Sequence, residues 1–104
     1  TDEETRLERV SVEKSKMVYH LTLVHFTSWS MPYLKLKSLL YNDLKSQICN
    51  DKDAQMLLKK GVSIVYSYSD KDAKPIGSFT FDAKTCGLKT NLEKLKNLLQ
   101  LNKK

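Results

Sequence analysis

LLKKGVSIVYSYSDKDAKPIGSFTF, residues 57–81, is the stretch on which the reading of the fold turns. Leu57 and Leu58 end a helical segment, and Gly61 is a good stop because it tolerates positive φ at no steric cost. Val62–Tyr68 then alternates, with Val62, Ile64, Tyr66 and Tyr68 on one face, which is the period of a β-strand. Ser69–Lys74 is a polar turn. Pro75 opens a second strand in which Gly77, Phe79 and Phe81 share a face. The stretch therefore predicts a helix that feeds a β-hairpin.

Upstream, the same signals occur in the opposite order. Val10 and Val12 sit at strand spacing within 6–14, and Glu13–Lys16 supplies a turn. Lys16–Phe26 alternates, with Met17, Tyr19, Leu21 and Leu23 on one face. Thr27–Met31 is a loop. Pro32 suits the first position of a helix, with Ser30 near the cap. From there Tyr33, Leu36, Leu40, Leu44 and Ile48 recur every three or four residues, so one stripe faces a core. That helix ends near Cys49. Asp51 or Asp53 can cap a second, short helix over Ala54–Lys60.

Downstream, Cys86–Gly87 is a break, and Thr90 with Glu93 forms a capping box. The helix that follows, expected over 90–102, carries Leu92, Leu95, Leu98 and Leu99. Lys103 and Lys104 suit its C-terminal dipole. The order is β-β-α-α-β-β-α, an α+β domain. The simplest architecture is a four-stranded, mainly antiparallel sheet with helices over one face. At 104 residues the chain has room for one modest core. Residues 1–5 are expected to fray, and 6–104 to form the single domain. The chain starts at Thr1 with no initiator Met, so it reads as a mature or a trimmed form, with any targeting peptide out of view.

The net charge of +6 is unevenly spread. Residues 1–13 carry a net −3, whereas 14–104 carry sixteen Lys and seven acids, a net +9. Such a body favours anionic partners. All of its bases are Lys, a point charge that suits phosphate better than base-edge reading. A Lys-rich surface also confers solubility, so charge alone does not name a ligand.

Catalytic signatures are missing from the sequence. His20 and His25 differ by five, so on one strand they point to opposite faces. Neither belongs to a zinc motif, and two cysteines cannot complete a four-ligand zinc site. Asp70 and Asp72 resemble a fragment of a calcium loop whose Gly and terminal Glu are missing, which favours a solvated hairpin turn. No Gly-rich phosphate loop occurs. The expectation is a non-enzymatic protein with no metal and no cofactor. Cys49 and Cys86 are either bonded or two buried thiols. A bond would close a 37-residue loop, worth roughly 4 kcal/mol in the chain-entropy model.

The segments TRLERVSV (5–12), YHLTLV (19–24), ICND (48–51), LLKKGVSIVYSYSD (57–70), IGSFTF (76–81) and TC (85–86) resemble a class of small exported bacterial proteins of unassigned activity. Thr5, Leu7, Tyr19, Thr22, Leu23, Cys49, Leu57, Leu58, Gly61, Val62, Tyr66, Tyr68, Asp70 and Cys86 match its pattern. The resemblance covers residues 4–86. It implies an α/β fold, export, and a Cys49–Cys86 disulfide, and it carries over no catalytic residue. With the Lys- and Asn-rich composition it suggests a type II secretion substrate of a Legionella-type bacterium. The implied location is secreted: periplasmic, then extracellular or host-associated.

Two regions are candidate binding surfaces. In HFTSWSMPYLKLK (25–37), Trp29 sits among aromatics beside Lys35 and Lys37, a pattern that seats at a membrane interface or packs over the sheet end. Lys45 lies on the same helix, opposite the core stripe. In the last helix Lys89, Lys96 and Lys103 recur every seven residues beside the leucines, a basic amphipathic face that can lie on a membrane or cover the core. The leading expectation is binding of anionic membrane surfaces, with phosphoinositide headgroups as the ligand. The alternative is a protein-interaction module for a host or envelope protein. The third is single-stranded nucleic-acid binding through Tyr66, Tyr68, Phe79 and Phe81, which the absence of Arg from the body disfavours. A monomer is expected.

Overall fold

A computed structural model describes residues 4–101. Two hairpins flank a helical pair: β1 (Thr5–Glu13), β2 (Lys16–Leu23), α1 (Tyr33–Asn50), α2 (Lys52–Lys59), β3 (Ser63–Ser69) and β4 (Pro75–Phe81). A 3-10 turn at Lys84–Cys86 and α3 (Asn91–Leu101) follow. The α+β order is the one the periodicity predicts. The sheet runs β1-β2-β3-β4, with antiparallel outer pairs. The central pair, β2 with β3, is parallel, from Lys16 opposite Ser63 to Thr22 opposite Ser69. The helical crossover between the two hairpins permits this seam, since parallel strands need a long connection.

The core lies between the sheet and α1–α2. Leu21, Leu23, Leu36, Ile48, Leu58, Ile64, Tyr68, Phe79 and Phe81 are buried there. Tyr33 and Tyr41 of α1 pack on Phe79, with ring centroids 5.7 and 5.8 Å apart. Gly77 permits this closeness, because a Cβ at that position would run into the Tyr33 ring. Cys49, in the last turn of α1, is bonded to Cys86 in the 3-10 turn, with Cα atoms 5.3 Å apart. The disulfide thus ties the helical layer to the end of β4.

Asp51 caps α2 by accepting the Asp53 N–H at 3.1 Å. Gly61 has φ 91° at the helix stop. The Thr90–Glu93 box forms, with Thr90 Oγ1 accepting the Glu93 N–H at 3.1 Å.

Some boundaries differ from expectation. β1 begins at Thr5, inside the stretch expected to fray, and the Glu4 carbonyl accepts the Val24 N–H. β2 stops at Leu23 rather than Phe26, because the Phe26 N–H turns back onto the Leu23 carbonyl. Pro32 is itself the cap of α1, and no side chain bonds there. Ser30 instead exchanges hydrogen bonds with Thr27.

The largest difference concerns α3. Its leucines do not cover the core: Leu92, Leu95, Leu98 and Leu99 are each more than half exposed. The radius of gyration is 16.5 Å, against about 13 Å for a compact chain of this length.

Candidate binding groove

The helical layer is lopsided. α1 packs on β4 and α2 on β3, and Leu21 and Leu23 of β2 join their core, while neither helix packs substantially on β1. The helix-facing side of the first hairpin is left partly bare: Leu7, Val10 and Val12 of β1 are exposed. Between this hairpin and α1 runs a groove of about 560 Å³. Its floor is Leu21, Tyr19, Tyr66 and Tyr68. One wall is Thr5 and Leu7 of β1. The other is Leu40, Asp43, Leu44 and Gln47, one i, i+3, i+4, i+7 stripe of α1.

Tyr19 and Tyr66 stack along the floor, with ring centroids 5.1 Å apart. The Tyr66 hydroxyl is held above the usual tyrosine pKa, first by burial and then by the nearness of Tyr19 and Asp51. The groove thus joins leucine and tyrosine surface with the polar groups of Thr5, Gln47 and Asp43, its charged lining residue. Its volume falls in the range of ligand-binding clefts.

Among the described residues, none of the predicted lysines lines this groove. Lys35 donates to the Ser30 carbonyl at 3.5 Å and so stays beside the Trp29 loop. Lys37 is exposed, with its Nζ 5.6 Å from the centroid of the Tyr41 ring. Lys45 is half-buried on α1, and Lys89 and Lys96 are exposed at and on α3. Lys103 lies outside the described residues. Trp29 is 93% exposed and projects from its loop, whereas Phe26 packs against the core. Leu34, in the first turn of α1, is 76% exposed.

Asp70 is not the solvated turn residue expected. It is buried, and its carboxylate accepts the N–H groups of Ser28, Asp72 and Lys74 at 2.8–2.9 Å. Burial alone would raise its pKa, but these hydrogen bonds outweigh it and hold the carboxyl below the ordinary Asp value. Asp70 therefore ties the second hairpin turn to the Trp29 loop. The aromatic platform proposed for bases is also unavailable, since Tyr68, Phe79 and Phe81 are buried under the helices.

On the sheet face away from the helices, Ser11 Oγ and His20 Nε2 are 2.8 Å apart. Thr22 donates to Glu8 at 2.6 Å, and Glu8 also pairs with Arg6. No cluster of three His, Cys, Asp or Glu that could hold a metal occurs among the described residues. No helix among them is long and apolar enough to cross a membrane.

The fold is shared with two solved structures. A candidate secreted protein from Pseudomonas aeruginosa is 23% identical, with a TM-score of 0.70 over 82% of this chain and 74% of that one. The pilotin EpsS of the Vibrio vulnificus type 2 secretion system is 15% identical, with a TM-score of 0.65 over 83% of this chain and 74% of that one. No protein-family model and no curated protein sequence matches the chain.

Proposed function

We propose that this chain is an exported, non-catalytic interaction module that holds an amphipathic apolar segment of a partner protein in the groove between α1 and the first hairpin. The carrying observation is the bare β1 edge of the sheet, where Leu7, Tyr19 and Tyr66 line one cleft beside α1. An amphipathic helix laid in an apolar groove is a recurrent recognition mode. The disulfide suits an oxidising compartment. The fold shared with a type 2 secretion pilotin points to a partner in an export apparatus and keeps the type II secretion assignment in view.

The test is an NMR titration with a leucine-rich amphipathic helical peptide. Amide shifts should concentrate at Leu7, Leu21, Leu44, Tyr66 and Tyr68. Shifts that fall elsewhere reject the reading, as does a monomeric chain that shows none. Capture of an envelope or host partner should survive high salt, since apolar contact is not screened as charge is.

A second reading rests on the exposed Trp29. With Lys35 of α1 held to the Ser30 carbonyl of its loop, it can seat at an anionic membrane, with phosphoinositide headgroups meeting the lysines. Each lysine near such a surface adds about 1 kcal/mol. Trp29 is the chain's single tryptophan, so its emission reports this loop directly. Vesicles carrying phosphoinositide should shift that emission to the blue and sediment the protein, and neutral vesicles should do neither. Equal behaviour with both rejects the reading.

A further inference from the structure

α3 is an amphipathic helix without a cover. Its leucines are 52–60% exposed, and it takes no part in the substantial packing between elements. An isolated helix of eleven residues is marginal in water, so its stability calls for an apolar partner. Its root is firm: Leu88 packs against the core, and the Thr90–Glu93 box closes the first turn. The arm is therefore held outward rather than hanging loose.

The same chain carries a surface of the complementary kind. Leu92, Leu95 and Leu99 follow the i, i+3, i+7 anchor spacing of helices that dock in grooves. They span seven residues, about 10 Å. The α1 wall of the groove, Leu40 to Gln47, spans seven residues as well. The charges match too. Lys96 lies one turn on from Leu92, about 40° round the helix, and so flanks the leucine stripe. Asp43 is the charged residue in the groove wall.

We propose that two copies of this chain form a two-fold dimer by exchanging arms, with α3 of each lying in the groove of the other. Reciprocal exchange is a closed, isologous arrangement, and it doubles the apolar area that one helix in one groove would bury. The proposal rests on reading the groove as a helix site. It adds that the chain's own α3 competes with the partner segment, so that the dimer is the stored form and the monomer the receptive one. It also replaces the expectation of a monomer.

Sedimentation equilibrium on the full chain tests it. The wild type should be a dimer at high micromolar concentration and dissociate on dilution. Leu95→Asp, on an exposed position, should be monomeric, keeping the strand signal of its far-UV spectrum and losing at most the helicity of α3. Asp43→Lys should weaken the dimer about fivefold, and adding Lys96→Asp should restore it. A wild type that stays monomeric at all concentrations overturns the exchange, whether α3 then stays bare or folds onto its own body. A dimer that survives Leu95→Asp also overturns it. The peptide titration repeated on monomeric Leu95→Asp separates the two ideas. Binding there, with a wild type that never dimerises, sinks the exchange alone. No binding sinks the groove and the exchange together.

Discussion

The Asp70 carboxylate accepts the Ser28 N–H at 2.8 Å across 42 residues of sequence, and so fastens the second hairpin turn to the loop that displays Trp29. The hydrogen bonds that hold Asp70 ionised also make it acid-sensitive. Its folded pKa lies below the unfolded value of about 3.9, so its contribution is present above that pH and is lost as pH falls through the folded value. Glu8, lowered by its hydrogen bonds to Arg6 and Thr22, has the same sign. Acid titration followed by circular dichroism should show stability flat from pH 7 to about 5 and falling below about 4. Asp70→Asn keeps the shape but removes the charge and one acceptor oxygen. It should lower Tm by about 5 °C or more and flatten the acid limb. An unchanged acid limb in this variant would show that Asp70 is not the responsible group.

The disulfide spans 37 residues and joins α1 to the end of β4. Cys49→Ala with Cys86→Ala should cost about 4 kcal/mol if the effect resides in the unfolded chain. Urea melts of the oxidised and double-alanine proteins measure this directly. Equal midpoints would mean that the bond follows from the fold without supporting it.

Gly77 marks the closest approach of α1 to the sheet. Gly77→Ala places a methyl group against the Tyr33 ring and should destabilise by about 1–3 kcal/mol. In the double variant with Tyr33→Ala the two costs should not add, because the clash is gone. Strict additivity would locate the Gly77 effect in the backbone instead.

Tyr66 offers a spectroscopic handle on the groove. Its pKa is raised in the folded state, so folding gains from it below pH 10 and loses that gain as pH climbs through the higher folded value. Alkaline difference spectroscopy should reveal a tyrosine that ionises late and is absent in Tyr66→Phe. An unaltered curve in that variant would assign the late step to another ring.

Much of this architecture was legible because its signals are local. The alternation from Ile64 to Tyr68, the Gly61 stop, the Asp51 cap and the Thr90–Glu93 box each act within a few residues. The parallel seam of β2 with β3 was not, since it depends on how two distant hairpins meet. The groove was hidden for a related reason. Leu7, Tyr66 and Leu44 belong to three elements, and each reads singly as ordinary core. Leu92, Leu95 and Leu99 gave the converse error, because a leucine stripe looks the same in sequence whether or not anything covers it. Asp70 misled through composition: charged neighbours suggest water, yet three backbone N–H groups replace it. Trp29 was ambiguous because burial of a loop aromatic depends on the path of the loop.

The roof of α1 and α2, which stops short of β1, has a consequence for mutational scanning. Replacements in the covered hairpin, at Ile64, Phe79 or Phe81, should register mainly as lost folding and leave any surviving protein with normal recognition. Replacements in the uncovered hairpin, at Leu7, Val10 or Val12, should leave the melt nearly untouched and show up only when a ligand or a second molecule is offered. Durability and selectivity would then meet only where Leu21, Tyr66 and Tyr68 serve both core and groove, and elsewhere each could drift without disturbing the other.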